Sequence, residues 1–510
     1  MATGDEGLLR TIIPKIPLLC KTALLHTFRV SHTSSKWDLR TELTMAVLRS
    51  ILDSDRPLSV TEQQSLTLKD PGIKGRMWIS KVSLPRPPED DARRVLLEAI
   101  DSIKEGDESY TIPSISDLSA EWTGYRAGVC NHEPEARISE SEKYTRLVEE
   151  TTSDAVILYF HGGAYYLCDP CSHRPAVAKL CQMTGFRALS IRYRLAPQYP
   201  FPAALLDALI AYLYLLAPPI GSLHTAIPAN KIIFAGDSAG GNICLALLQT
   251  LLQIHRTSNS TTIPFFGTHT ALPLPAGLAL TSPWTDITRS LPSIHTNQQY
   301  DYLPTPETSM RQPPCPLWPT TPTRSDLFCE TSILTHPLVS PIVAKPNLWT
   351  GAPPVLVVCG EETLADEDRH MAAVLARSGV RVVWEQYEAM PHCFGMVFPG
   401  LKVSKRYWES LAGFCRMVVS TSEEVGEDDD DNNDEDDDVT KEESADDDNS
   451  NTTTIKTKGT WIATGCRYST PVPVETASPF SDEEVMEMLI RGKDSRERGE
   501  GAYKVRSGKL

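Results

Sequence analysis

The chain has 510 residues, 41% of them hydrophobic, and a net charge of −17, length enough for two or three average domains or one large domain with additions. Between Glu423 and Asp448 stand 17 acidic residues against one base, Lys441, so almost all of the net charge is local. The near-neutral remainder gives no electrostatic reason for nucleic acid or an anionic membrane as partner.

In chain order, residues 1–75 read as helices that precede any sheet and would cap it. Trp37 to Leu52 carries apolar positions at helical spacing (Leu39, Leu43, Val47, Leu48, Leu52). The apolar stretch from Leu8 to Phe28 is broken by Arg10, Pro14, Lys15, Pro17 and Lys21. It falls short of the roughly 20 uncharged residues of a membrane span and lacks a cleavage-site pattern. No integral membrane span is expected. Twelve scattered cysteines without a secretory signal suit reduced thiols and a cytoplasmic location. The lone Cys168-Asp-Pro-Cys171 is a poor zinc site, so no metal is expected.

From Val156 onward, apolar strand-like runs alternate with helical ones. Val156 to Phe160, Arg187 to Tyr193, Lys231 to Ala235, Gly277 to Thr281, Val355 to Val358 and Val380 to Trp384 read as strands. Pro175 to Gly185, Pro202 to Leu216, Ala239 to His255 and Ala365 to Gly379 read as helices. Such alternation predicts an α/β architecture, a mostly parallel central sheet with helices on both faces. Trp78 to Val82 and Tyr144 to Glu149 are read as antiparallel edge strands. The core domain would span 76–420. Within it, 289–350 is a lid-like insertion, where seven prolines between Tyr302 and Thr323 oppose a continuous helix. The acidic residues 421–458 are expected to be disordered. Residues 459–510 form a C-terminal segment in which Ser481-Asp-Glu-Glu484 is a capping-box pattern opening a short helix. Cutting the chain after Ser420 is expected to spare activity.

Three motifs carry chemistry. Gly236-Asp237-Ser238-Ala239-Gly240 lies between a strand and a helix, which places Ser238 on a tight turn with its hydroxyl projecting. A serine hydroxyl needs a base, and His392 follows the Val380 strand in Ala389-Met-Pro-His-Cys-Phe-Gly395. The base needs an acid. After Val358, position leaves Glu361, Glu362 and Asp366 open; Asp366 opens the next helix and suits an N-cap role, so Glu362 is preferred. His161-Gly162-Gly163-Ala164 follows a buried strand. There the amides of Gly163, Ala164 and Ala239 would serve as oxyanion donors, with His161 shaping the loop. Gly162, Gly236, Asp237 and Gly240 would shape the same turns.

These residues resemble the hormone-sensitive-lipase-like branch of the α/β-hydrolases, including fungal α/β-hydrolase fold-3 proteins. The match runs from about Ala155 to Phe398 through His161-Gly-Gly-Ala164-Tyr165, Tyr193-Arg-Leu-Ala-Pro197, Phe201-Pro-Ala-Ala204, Gly236-Asp-Ser-Ala-Gly-Gly241 and Ser282-Pro-Trp-Thr-Asp286. The resemblance implies an α/β-hydrolase fold with a helical cap. It also implies a serine carboxylesterase or lipase-like hydrolase with Ser238, Glu362 and His392 as nucleophile, acid and base, needing no cofactor. The partner would be a small-molecule ester of short to medium acyl chain; the oligomeric state is not implied. Two departures stand out: Ala164 replaces a usual third glycine, and Glu362 a usual aspartate. Tyr165, Tyr166 and Trp284 are candidate pocket walls, or else core aromatics. Amidase, deacetylase or dehydratase chemistry on the same scaffold, or a non-catalytic ligand-binding homologue, are the rival readings.

Overall fold

Continuous apolar runs on consecutive strands, buried on both faces, decide the architecture. In the computed structural model, which describes residues 13–52, 57–257, 261–306, 312–427 and 455–507, the strands are β1 (Met77–Leu84), β2 (Leu118–Tyr125), β3 (Val156–Phe160), β4 (Arg187–Arg192), β5 (Ile232–Asp237), β6 (Thr262–Phe265), β7 (Thr268–Ala271), β8 (Gly277–Thr281), β9 (Val355–Gly360), β10 (Val382–Tyr387), β11 (Lys458–Ile462) and β12 (Ser469–Val472). Ten of them form one sheet in the order β1-β2-β4-β3-β5-β8-β9-β10-β11-β12, and β6-β7 make a separate hairpin. The sheet is parallel from β4 to β11. Its ends are antiparallel, at β1-β2, β2-β4 and β11-β12.

The principal helices are α1 (Ile16–Thr27), α2 (Leu39–Leu52), α3 (Val60–Thr67), α4 (Asp91–Ser102), α5 (Glu140–Glu149), α6 (Pro170–Thr184), α7 (Ala203–Leu216), α8 (Ala239–Thr257), α9 (Ala365–Arg377), α10 (Lys402–Glu427) and α11 (Asp482–Ser507). Every residue of β3 is buried. Val156, Leu158 and Phe160 face a core shared with α4, α7, α8 and α9. Ile157 and Tyr159 face a second core with α6 and α10. The mostly parallel sheet with helices on both faces is thus the expected α/β architecture.

Tyr144 to Glu149 is a correction to the strand reading. It belongs to α5, where the Ser139 side chain caps the helix by accepting from the Glu142 amide (3.1 Å). Glu140 and Glu142 in the first turn favour the helix N-terminus, and Tyr144 and Leu147, three residues apart, both reach the core. Trp78 to Val82 does lie in an antiparallel edge strand, β1.

The N-terminal helices are tied to loops at the C-terminal ends of the strands. The Trp37 indole donates to the Ala389 carbonyl (2.6 Å). From α3, Gln64 donates to the carbonyls of Tyr166 (2.9 Å) and Ala196 (3.0 Å). At the other end of the chain, most of the acidic stretch 421–458 lies outside the described residues. Its first residues continue α10, and past its far end β11 pairs with β10 while α11 opens on the expected capping box: the Glu484 amide donates to Ser481 Oγ (3.2 Å) and the Ser481 amide to Glu484 Oε2 (2.8 Å). This helix packs Val485 and Leu489 against Leu291 and Ile342 of the 289–350 insertion. Among the described residues no helix is long and apolar enough to cross a membrane.

Candidate active site

Four loops at the C-terminal ends of β3, β5, β9 and β10 form the site. This is where open parallel sheets place ligands. Ser238 occupies the one-residue turn between β5 and α8 at φ +52°. A left-handed backbone at a residue other than glycine costs on the order of 1 kcal/mol and persists only where its surroundings impose it. Here the Ser238 amide donates to the Thr281 carbonyl (3.0 Å), and its own carbonyl accepts from Trp284 (3.0 Å) and Asn242 (3.1 Å). Gly240 lets α8 press against the end of β3: a Cβ there would sit 1.9 Å from the Phe160 carbonyl oxygen.

The loop after β3 is anchored on Asp237. Its Oδ1 accepts from the Tyr159 hydroxyl (2.7 Å) and the Gly162 amide (3.1 Å), and His173 Nε2 lies 3.3 Å from Oδ2. Burial opposes both charges of the Asp237–His173 pair. Their mutual attraction outweighs it, so the carboxyl is held below its usual range and the imidazole above. Gly162 has no room for a side chain, since a Cβ would lie 2.3 Å from Asp237 Oδ2. Ala164 stands at φ +52°, a conformation that explains why glycine is usual there. Among the described residues, the amides of Gly163 and Ala164 donate to no protein acceptor. Ala239 opens α8, so its amide stands at the positive end of the helix dipole. His161 stacks on Tyr193 (4.3 Å between centroids, 16°), whose hydroxyl donates to the His161 carbonyl (2.7 Å). Burial pushes His161 down to about 4, so its ring is neutral at physiological pH.

Of the three acidic candidates, only Glu362 meets His392. Its Oε1 lies 2.7 Å from Nδ1 of the buried imidazole, while Oε2 accepts from Ser282 Oγ (2.7 Å) and the Gly360 amide (2.9 Å). Glu361 instead accepts from the Ala389 amide (2.9 Å). Asp366 lies inside the first turn of α9 rather than at its cap, and exchanges two bonds with Ser293. Burial depresses the His392 imidazole, but Cys393 and Glu362 outweigh it and hold the group well above the ordinary histidine range. With Nδ1 committed to Glu362, Nε2 is the nitrogen through which this ring can exchange a proton.

Tyr165 is a core aromatic: it stacks on Phe328 (3.6 Å) and donates to Asn242 Oδ1 (2.6 Å). Trp284 packs on the same core, and its indole donates to the Asp286 carbonyl (2.8 Å). The Tyr166 hydroxyl reaches Gln63 Oε1 of α3 (3.3 Å). Cys168 and Cys171 are unpaired, and burial pushes their thiols up to about 11 and 12. Two residues of the site were given no role by the sequence reading. Ser282, at φ +45°, links Glu362 to the base loop by also accepting from the Cys393 amide (3.2 Å); its place directly after β8 was the available signal. Asp301 contacts both the acid turn and the base loop, and nothing local in the sequence marks it.

An open α/β sheet with a serine turn at its centre and a carboxylate–imidazole pair two loops away defines the α/β-hydrolase class. A sequence model of the alpha/beta hydrolase fold matches residues 157–396. An acetyl-hydrolase from Streptomyces hygroscopicus is 33% identical over 261 residues, 51% of this chain and 75% of that protein. An esterase from Acinetobacter venetianus is 27% identical over 266 residues, 52% and 76% of the two chains. Human hormone-sensitive lipase is 35% identical over 109 residues, 21% of this chain and 10% of that one. In fold, a solved esterase of the bacterial hormone-sensitive lipase family superposes with a TM-score of 0.50 at 22% identity, covering 75% of this chain and 99% of its own. The chain belongs to the hormone-sensitive-lipase-like family of α/β-hydrolase esterases. It is a serine hydrolase of the esterase/lipase type, acting on carboxylic esters.

Proposed function

We propose that Ser238 is the nucleophile, His392 the base and Glu362 the acid of a carboxylesterase for short to medium acyl chains. The observation that carries this reading is the 2.7 Å contact between Glu362 and His392 at the sheet edge that presents Ser238. Ser238 Oγ attacks the ester carbonyl while His392 Nε2 takes its proton. The amides of Gly163, Ala164 and Ala239 hold the oxyanion, and removing one such donor typically costs about 10²–10³ in rate. The imidazolium, stabilised by Glu362, protonates the leaving alcohol as the C–O bond breaks. Water, deprotonated by His392, then cleaves the acyl-enzyme and frees the acid. The acetyl-hydrolase relative favours the short end of the acyl range. The same reading has the enzyme working in the cytoplasm, which twelve unpaired cysteines favour.

Hydrolysis of p-nitrophenyl acetate, butyrate and decanoate by wild type and Ser238→Ala tests the proposal. Activity falling from acetate and butyrate to decanoate, and lost in the variant, is expected. Equal rates in both proteins would remove Ser238 from the mechanism.

A further inference from the structure

Asp301 is buried where the 289–350 insertion passes behind the acid and the base. Its Oδ1 accepts from the His392 amide (3.1 Å) and the Tyr302 amide (2.7 Å). Its Oδ2 accepts from the amide (2.9 Å) and the hydroxyl (2.7 Å) of Thr363, the residue next to Glu362. One carboxylate therefore spans two loops, the one after β9 that carries the acid and the one after β10 that carries the base. With the Leu303 amide (3.4 Å), five donors converge on this one carboxylate, and charge-assisted bonds are about twice as strong as neutral ones.

The surrounding contacts repeat the pattern. Asn297 donates to the Glu362 carbonyl (3.0 Å), and Ser293 to that of Thr363 (2.7 Å). From α2, Arg49 Nε donates to the Asp301 carbonyl (2.8 Å), and its Nη2 to those of Gln299 (2.6 Å) and Gln298 (3.2 Å). Residues 293–301 of the insertion thus bond to both loops, and Arg49 of α2 in turn bonds to residues 298–301.

We propose that Asp301 is a positioning residue for the reaction, setting the separation and orientation of Glu362 and His392, with Arg49 fixing the segment that bears it. This rests on the assignment of those two residues as acid and base. A group that only tethered the insertion would affect melting alone. A group that aligns the pair acts through Glu362, so its loss must change the titration of His392 and must not add to the loss of Glu362 itself.

The test is steady-state hydrolysis of p-nitrophenyl butyrate by wild type, Asp301→Asn, Glu362→Gln and the double variant, with thermal melts of each. Asparagine keeps the shape but sets an NH2 group against donors. In Asp301→Asn, kcat is expected to fall roughly 10–100-fold, the scale of a misplacement near 1 Å, with KM changed less than about twofold. The limb of the pH profile that reports His392 should move to lower pH. The double variant should lie within about twofold of Glu362→Gln, because the two act as one unit. An unchanged pH profile and kcat in folded Asp301→Asn, or losses that multiply in the double variant, would overturn the proposal. If Asp301→Asn does not fold, Thr363→Val, which removes only the hydroxyl donor, is judged by the same kcat and pH limb. Ser238→Ala run alongside separates the two readings, since retained activity there would fault the nucleophile assignment and not the role of Asp301.

Discussion

Glu362 is one methylene longer than the aspartate usual at its position, and its reach is taken up from both sides: Oε1 by His392, Oε2 by Ser282 and the Gly360 amide. Replacement by glutamine keeps the volume and removes the charge. Under the proposed mechanism the neutral imidazole is the working base, and His392 is held well above the usual range. Wild-type kcat/KM should therefore rise with pH through a limb above 6.5. In Glu362→Gln the imidazolium loses its carboxylate, so the limb should move to lower pH while kcat/KM falls by about 10²–10⁴. A pH–rate profile of both proteins checks direction and size; an unmoved limb would mean that Glu362 does not govern His392. At this scale the proposed Ser238 and His392 stood out in the sequence because each sits in a short local pattern beside a strand. The choice among Glu361, Glu362 and Asp366 was not settled by position, because it depends on which carboxylate bends toward a loop 30 residues away in sequence.

The elements that bring these residues together depend on buried charge as well as apolar packing. Arg174 of α6 is 2% exposed. It pairs in two-pronged fashion with Glu121 of β2 (2.5 and 2.6 Å) and with Asp70 after α3 (2.6 and 3.0 Å). These bonds join the N-terminal segment, the antiparallel edge and the helix that follows the Gly162–Ala164 loop. Arg174→Ala would leave Glu121 fully buried and without its main partner, so a loss of about 3–5 kcal/mol is expected. Urea unfolding measures it, and a loss under about 1 kcal/mol would show the cluster to be dispensable. The central strands were readable from continuous apolar runs, since a strand covered on both faces has no polar side. Helix α5 was misread because the cap that decides lies upstream at Ser139, outside the six residues taken as a strand, although Tyr144 and Leu147, three apart, share one face only in a helix.

Across the whole molecule, the sheet does not end with the strand that precedes His392. Residues beyond the acidic stretch add β11 and β12 beside β10, and Arg496 of α11 pairs with Asp326 of the insertion while donating to the Ile287 carbonyl (3.1 Å). The expectation that a cut after Ser420 spares activity is therefore replaced by its opposite. The truncated chain should lose hydrolysis of p-nitrophenyl butyrate and melt at lower temperature, because it bares the edge of β10 and uncovers Leu291 and Ile342. Wild-type activity and melting in the truncated protein would count against this.

The sequence by itself determined the class of fold and proposed the reacting groups, because continuous apolar strand runs, helical spacing and a serine flanked by small residues are local properties carried by adjacent positions. Only the tertiary structure decided which carboxylate meets His392, that Asp301 and Ser282 each bond to both loops, and that residues 458–472 complete the sheet. Those outcomes depend on contacts between segments tens to hundreds of residues apart, whose meeting is set by strand order, which no local pattern encodes.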